Sequence, residues 1–119
     1  MNQKLKHPLL ASPSFIGNLE LKNRMVLAAM GSNFASDDGH TSKQLNAYYE
    51  ERARGGVGLI ILETSAITWP AGASMPNMIG FSKDEFIPDL RSLTQSIHQQ
   101  SLAILLHMQL LGQIGRAHV

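Results

Sequence analysis

The chain contains no cysteine, so disulfide bonds, thiolate metal ligands and thiol nucleophiles are excluded from its 119 residues. It also lacks an excess of charge of either sign, because ten Lys and Arg residues oppose nine Asp and Glu residues and the basic residues are scattered. We therefore expect no nucleic-acid partner. No apolar run approaches the roughly 20 residues that cross a bilayer. The polar amino terminus is followed by no hydrophobic signal core. We accordingly expect no membrane partner and a cytoplasmic protein.

What the chain does contain is three apolar runs of strand length, at residues 25–30, 57–62 and 102–106, the last of which begins a strand predicted over residues 102–110. The first is apolar on both faces, which is typical of a parallel strand covered on both sides. Segments of helical spacing separate the runs. Their apolar faces are expected to pack in the core: Leu45, Tyr48, Tyr49 and Ala53 in the first, and Phe86, Leu90, Leu93 and Ile97 in the second. A shorter pattern at residues 15–21, centred on Gly17-Asn18, predicts a β-hairpin before the first strand. The order β-α-β-α-β predicts an α/β fold with a parallel sheet.

The predicted helices carry start and stop signals. Thr41-Ser42-Lys43-Gln44 predicts a capping box with Thr41 as the N-cap, and Gly55-Gly56 predicts the end of the first helix. A second capping box is predicted at Ser82, before a helix that continues through Ile97. Between strand two and this helix, residues 67–80 are predicted to form an irregular loop, in which Trp69 and Met75 to Met78 are more simply interpreted as loop packing than as a pocket.

Small and polar residues gather where each predicted strand ends: residues 28–31, 63–64 and 107–109. In a barrel of parallel strands these positions share one mouth. Small residues there let a flat ligand approach the backbone, and a glutamine side chain matches an amide-like ring edge. The pattern suits a planar heterocycle with imide groups, such as a flavin, although many other ligands satisfy it equally.

Single titratable residues allow more than one interpretation. Glu63 ends a buried strand, where an unpaired carboxylate is costly. We predict that it either pairs with Arg24 or Arg52 or lies in the site, with the ion pair favoured. His40 and His98 are predicted to be solvated, and no two histidines have metal-ligand spacing, so no metal site is expected.

Residues 21–31 (Leu-Lys-Asn-Arg-Met-Val-Leu-Ala-Ala-Met-Gly) resemble the opening motif of the old yellow enzyme family. More specifically, they resemble its NADH:flavin oxidoreductase and 2,4-dienoyl-CoA reductase branch. Residues 38–39, 48–53 and 55–63 agree with the same family. The resemblance implies that residues 1–113 are the N-terminal portion of an FMN-binding (β/α)8 barrel, contributing about three of its strands and two of its helices.

The resemblance also implies an activity and a set of cofactor residues. In this family NAD(P)H reduces FMN, and a hydride then passes from flavin N5 to an activated C=C bond of an enone, enoate or enoyl-CoA substrate. By position, Ala29, Met30 and Gly31 would touch the flavin, Thr64 would pack near its ring, and Gln109 would hydrogen-bond its pyrimidine edge. The catalytic residues, any 4Fe-4S cluster and any FAD domain would lie beyond residue 119, so no catalytic residue is assigned.

The chain departs from the family pattern at three places. The family often has Pro where Ala29 stands, and Thr or Cys where Gly31 stands, so the hydroxyl or thiol that tunes the flavin is missing. Residues 109–116 lack the family's histidine and are one residue longer. Residues 114–119 are also what the start of a common sequencing adapter would encode, and we expect them not to be native.

Two other interpretations stay open. One is a small standalone α/β ligand-binding or interaction module that folds by dimerising its open sheet edge. The other is a different barrel enzyme, either a dihydroorotate-type flavoenzyme or an aldolase-like one. If the flavin assignment is right, we expect the chain alone to be inactive. The sequence favours no oligomeric state and no choice between NADH and NADPH.

Overall fold

The computed structural model describes residues 6–100 and the backbone of residues 103–109. The described chain opens with a hairpin of two antiparallel strands, β1 (Ser14–Ile16) and β2 (Leu19–Leu21). Its two-residue loop is the predicted Gly17-Asn18. Gly17 has a φ of +57°, and glycine with positive φ at the first loop position is typical of tight hairpin turns. The predicted hairpin is confirmed.

Strands and helices then alternate. The elements in chain order are β3 (Val26–Leu27), α1 (Lys43–Arg54), β4 (Leu59–Ala66), β5 (Ile79–Gly80), a 3-10 turn (Asp84–Phe86), α2 (Ile87–His98) and β6 (Ala103–Gln109). Strands β3, β5 and β6 all pair with β4 in parallel. The predicted α/β class and the β-α-β-α-β order are confirmed, with β3, β4 and β6 as the three expected strands.

Strand β4 is the centre of the sheet. Its first residues pair with both β3 and β6, and its last residues pair with both β5 and β6. Since a strand has only two edges, β6 lies along one edge of β4 while β3 and β5 share the other. Strand β5 falls inside the segment predicted as an irregular loop, so that prediction is wrong at residues 79–80.

The prediction of a first strand over residues 25–30, covered on both faces, is wrong. Only Val26 and Leu27 pair with β4, and the chain then leaves the edge that β5 uses further along. Leu27 packs against the hydrophobic core, but Val26 on the opposite face is 45% exposed. The cause is that both helices pack on one face of the sheet, and the described residues leave the other face of β3 uncovered.

Strand β4 is longer than predicted. It continues past Leu62 through Glu63 and Thr64 to Ala66. The prediction ended the strand at its first charged residue. In the structure the polar residues stay in the strand, because Ser65 and Ala66 pair with neighbours on both edges.

The hydrophobic core lies between β4 and the two helices. Its fully buried members include Leu45 and Tyr49 from α1, Ile60 from β4, and Leu93 and Ile97 from α2. These are the faces that the helical spacing predicts. Among the described helices, none is both long enough and apolar enough to cross a membrane.

Both predicted capping boxes are wrong in detail. The N-cap of α1 is Ser42, whose Oγ accepts the Leu45 N–H at 3.0 Å and donates to the Phe34 carbonyl. This contact with the preceding loop favours Ser42 over Thr41. Ser82 caps no helix, because its Oγ accepts the Trp69 N–H at 3.0 Å. The predicted stop at the end of α1 is confirmed, with Gly56 in the left-handed region at φ +91°.

Candidate functional site

The predicted cofactor residues lie at one end of the sheet, where the parallel strands end. Ala29, Met30 and Gly31 follow β3, Thr64 lies in the last part of β4, and the backbone of Gln109 pairs with Ala66. Ala29 and Thr64 are half-buried, whereas Met30 and Gly31 are exposed. The Gln109 side chain lies outside the described residues. Contact of these five residues with a flavin stays a prediction.

Glu63 connects two of these strand ends. Its Oε2 accepts the Ser32 N–H at 2.7 Å, which joins β4 to the segment that follows Gly31. The residue is 1% exposed, and Oε1 has no hydrogen-bond partner among the described residues. The predicted ion pair with Arg24 or Arg52 is wrong. Arg24 donates to the Ser12 hydroxyl, and Arg52 packs over the Tyr48 ring.

Burial dominates the electrostatics of Glu63. It raises the pKa of the carboxyl above its ordinary value, and hydrogen bonding from Ser32 offsets only part of the rise. Beneath it, burial also raises the pKa of the Tyr49 hydroxyl, and the nearby Glu63 charge adds to that rise. The Tyr49 hydroxyl therefore stays neutral and accepts the Glu63 N–H at 2.8 Å.

Two loops meet above the strand ends. The first, residues 28–42, touches the second, residues 67–78, through the Asn77 N–H, which donates to Asn33 Oδ1 at 3.0 Å. Gly31 lies under the same second loop: a Cβ added there would clash with the methyl group of Met75. The absence of a side chain at Gly31 thus makes room for the Met75 thioether.

An open cleft of about 350 Å³ lies between these loops. Its lining includes Asp37 from the first loop and Trp69, Pro70, Ser74, Met75 and Pro76 from the second. Loop packing, predicted for Trp69 and residues 75–78, is confirmed for Met78, which is fully buried. Trp69 and Met75 instead line the cleft.

His40 is not the solvated residue that the sequence predicts. Its Nδ1 lies 2.6 Å from Asp89 Oδ2, and its ring meets Phe86 edge-on with centroids 4.9 Å apart. These contacts hold the end of the first loop on the start of α2. The Gly80 N–H adds a bond of 2.8 Å to the Gly39 carbonyl. His98 is exposed at the end of α2, as predicted.

The fit of this edge to a flat cofactor depends on Gly31 and on the buried Glu63. Gly31 presents only backbone, and Glu63 provides a buried polar atom that is not satisfied within the described residues. Within residues 6–100, no three His, Asp or Glu side chains gather in a way that could hold a metal ion.

Sequence reasoning missed two features of this edge. It assigned Tyr49 to the core on its helical spacing, but its hydroxyl also binds the Glu63 backbone. It also missed the Ser32 amide as the partner of Glu63. The only signal in the sequence is that Tyr49 lies on the core face of the helix that precedes Glu63. Helical spacing alone does not predict where the Tyr49 hydroxyl points.

Comparison with known proteins identifies the family to which the chain is similar. Residues 10–117 match the model of the NADH:flavin oxidoreductase / NADH oxidase family. The chain is 36% identical over 106 residues to the NADH oxidase of Thermoanaerobacter brockii, covering 89% of this chain and 16% of that protein. It is 35% identical over 121 residues to the cinnamate reductase of Clostridium sporogenes, covering 98% of this chain and 18% of that protein.

A solved structure is similar as well. The old yellow enzyme from Trypanosoma cruzi superposes with a TM-score of 0.75 at 29% sequence identity, covering 85% of this chain and 26% of that one. The chain therefore spans less than a third of this structure and less than a fifth of the two curated relatives.

Proposed function

Because the chain belongs to the NADH:flavin oxidoreductase / NADH oxidase family, we propose that it forms the N-terminal part of an FMN-dependent NAD(P)H oxidoreductase. The proposed substrate is a small molecule with a C=C bond conjugated to a carbonyl group, as in an enone, an enoate or an enoyl-CoA. The family match over residues 10–117 is the observation that carries the proposal. The similarity to a cinnamate reductase favours the enoate class.

In this proposal the residues of the chain bind and orient the cofactor. Ala29, Met30 and Gly31 form one side of the flavin site through their backbone, and Thr64 packs beside the ring. Gln109 supplies both a donor and an acceptor to the pyrimidine edge. Met75 takes the space that a side chain at residue 31 would fill.

When bound, FMN supplies the hydride chemistry between the nicotinamide and the C=C bond. No residue of this chain is proposed as catalytic. The proton donor, the groups that polarise the substrate carbonyl and the phosphate site are proposed to belong to a longer protein. The same holds for any 4Fe-4S cluster and FAD domain. Residues 1–113 are its proposed barrel portion.

This proposed function is tested by purifying the complete protein and following its flavin absorbance. We expect it to purify with FMN, to lose its 450 nm absorbance under anaerobic NADH or NADPH, and to regain it when cinnamate or 2-cyclohexenone is added. Product analysis should show the saturated acid or ketone. A protein without FMN, or a reduced flavin that no activated alkene reoxidises, would contradict the proposal.

A second experiment uses residues 1–119 alone. With few strands of the barrel and none of its phosphate site, this chain should purify colourless and associate through its exposed sheet edge. Stoichiometric FMN binding by a folded, monomeric chain would contradict the proposal that the cofactor site needs the rest of the barrel.

A further inference from the structure

Glu63 is held by three hydrogen bonds, one to α1, one to the segment after Gly31 and one within its own strand. Its N–H donates to the Tyr49 hydroxyl at 2.8 Å, its carbonyl accepts from Ser65 Oγ at 3.0 Å, and its Oε2 accepts the Ser32 N–H at 2.7 Å. The register between β4 and β6 shifts between Leu62 and Ser65. Side-chain hydrogen bonds thus hold the strand where its ladder of backbone hydrogen bonds is irregular. Such irregularities often redirect a side chain next to an active site.

Packing alone does not explain a carboxyl group at this position. Glu63 is 1% exposed, and its Oε1 is unpartnered among the described residues. Burying a carboxyl group in this way is costly, and an apolar residue of similar volume would fill the space at lower cost. Burial accordingly raises the pKa of this carboxyl. The position therefore retains an acceptor that stability does not require.

The Glu63 carboxyl oxygen accepts a hydrogen bond from the end of the segment that forms the proposed flavin site. Ser32 directly follows Gly31, and residues 28–31 have left the sheet and lack its regular backbone bonds to β4. On the other side of this segment, Met75 occupies the space beside Gly31. The Glu63 carboxyl group is thus the anchor that joins the end of the segment to strand β4.

We propose that Glu63 is a positioning residue, whose bond to the Ser32 amide fixes the backbone of Ala29 to Gly31 for binding of the flavin ring. This inference rests on the proposed function, since it assumes that these residues meet a flavin. Glu63 acts through the backbone and is not proposed to react.

The test compares two variants of similar volume in the complete protein. Glu63→Gln keeps an oxygen that can accept the Ser32 N–H, whereas Glu63→Leu removes it. Glu20→Leu, at an exposed position of strand β2, is the matched control. Hydrogen exchange of the Ser32 amide reports the anchor, and fluorescence quenching of FMN reports cofactor binding. Circular dichroism and the melting temperature identify the temperature range in which each variant is folded.

We expect Glu63→Leu to speed exchange at Ser32 and to weaken FMN binding by about tenfold or more each, because leucine leaves the Ser32 N–H without the acceptor that glutamine keeps. Glu63→Gln should stay within about threefold of the unchanged protein in both measurements. The inference is overturned if Glu63→Leu changes neither, or if Glu63→Gln is as damaging as Glu63→Leu. If the unchanged protein binds no FMN, the proposed function fails, and the exchange rates still decide whether Glu63 anchors Ser32.

Discussion

Replacing Tyr49 with phenylalanine tests the support beneath the candidate site. Tyr49 is 1% exposed, and its hydroxyl accepts the buried Glu63 N–H at 2.8 Å. Phenylalanine keeps the ring in the core but leaves that N–H without its acceptor. An unsatisfied buried donor costs about 1–3 kcal/mol. Since 1.36 kcal/mol is a factor of ten, the Glu63 amide should exchange about ten to a hundred times faster.

Native-state hydrogen exchange, resolved to single amides of β4, measures this loss directly. The matched control is Tyr48→Phe, which removes a hydroxyl from the adjacent, half-buried ring that lies under Arg52. We expect the control to leave the Glu63 amide within about threefold of its original exchange rate, a change below about 1 kcal/mol. The Ile60 amide, earlier in the same strand, distinguishes a local effect from global destabilisation.

Two results would refute this reasoning. One is an unchanged exchange rate at Glu63 in Tyr49→Phe, which would mean that the hydroxyl contributes nothing to holding the strand. The other is an equal acceleration at Glu63 and Ile60, which would mean that the variant lowers the stability of the whole unit and that the bond has no local role.

Three further predictions follow from the same geometry. Gly31→Val should change the unfolding free energy by no more than about 0.5 kcal/mol in denaturant titrations, because Gly31 is exposed and the added side chain meets only the end of the flexible Met75 side chain, which can move aside. Burial raises the folded-state pKa of Glu63, so the stability it contributes is full below the unfolded pKa and is lost as pH rises through the raised value. Glu63→Gln should therefore gain stability relative to the unchanged protein as pH rises, in paired melting curves. Asp89→Asn should cost about 1 kcal/mol at most, because the His40–Asp89 pair is partly exposed, and a thermal melt would detect a larger loss.

The sequence predicts those parts of the fold that depend on local patterns. The helical faces that include Leu45 and Leu93 form the core, and the hairpin turn lies at Gly17-Asn18. The family resemblance carried by residues 21–31 is confirmed by the match over residues 10–117. The similar old yellow enzyme structure supports the barrel class. The helical faces repeat along the chain, and periodicity can report them without any knowledge of distant contacts.

Features that depend on distant contacts were predicted poorly. The strand at residues 79–80 is too short to have a pattern, and it forms only because the edge of β4 beside Ser65 and Ala66 is available. The N-cap moved to Ser42 because the Phe34 carbonyl offers its hydroxyl a second partner. His40 was expected in solvent and instead meets Asp89, which is distant in sequence. In each case a tertiary contact outweighed a local preference.

The path from Tyr49 through Glu63 to Ser32 connects the hydrophobic core to the candidate cofactor edge. Tyr49 is fixed by the packing of α1, Glu63 lies in the central strand, and Ser32 follows the segment that leaves the sheet. A change in helix packing at Tyr49 should therefore reach the cofactor edge without touching any residue there. Stability and cofactor binding are thus expected to change together for substitutions in α1 that move Tyr49, and separately for those on its exposed face.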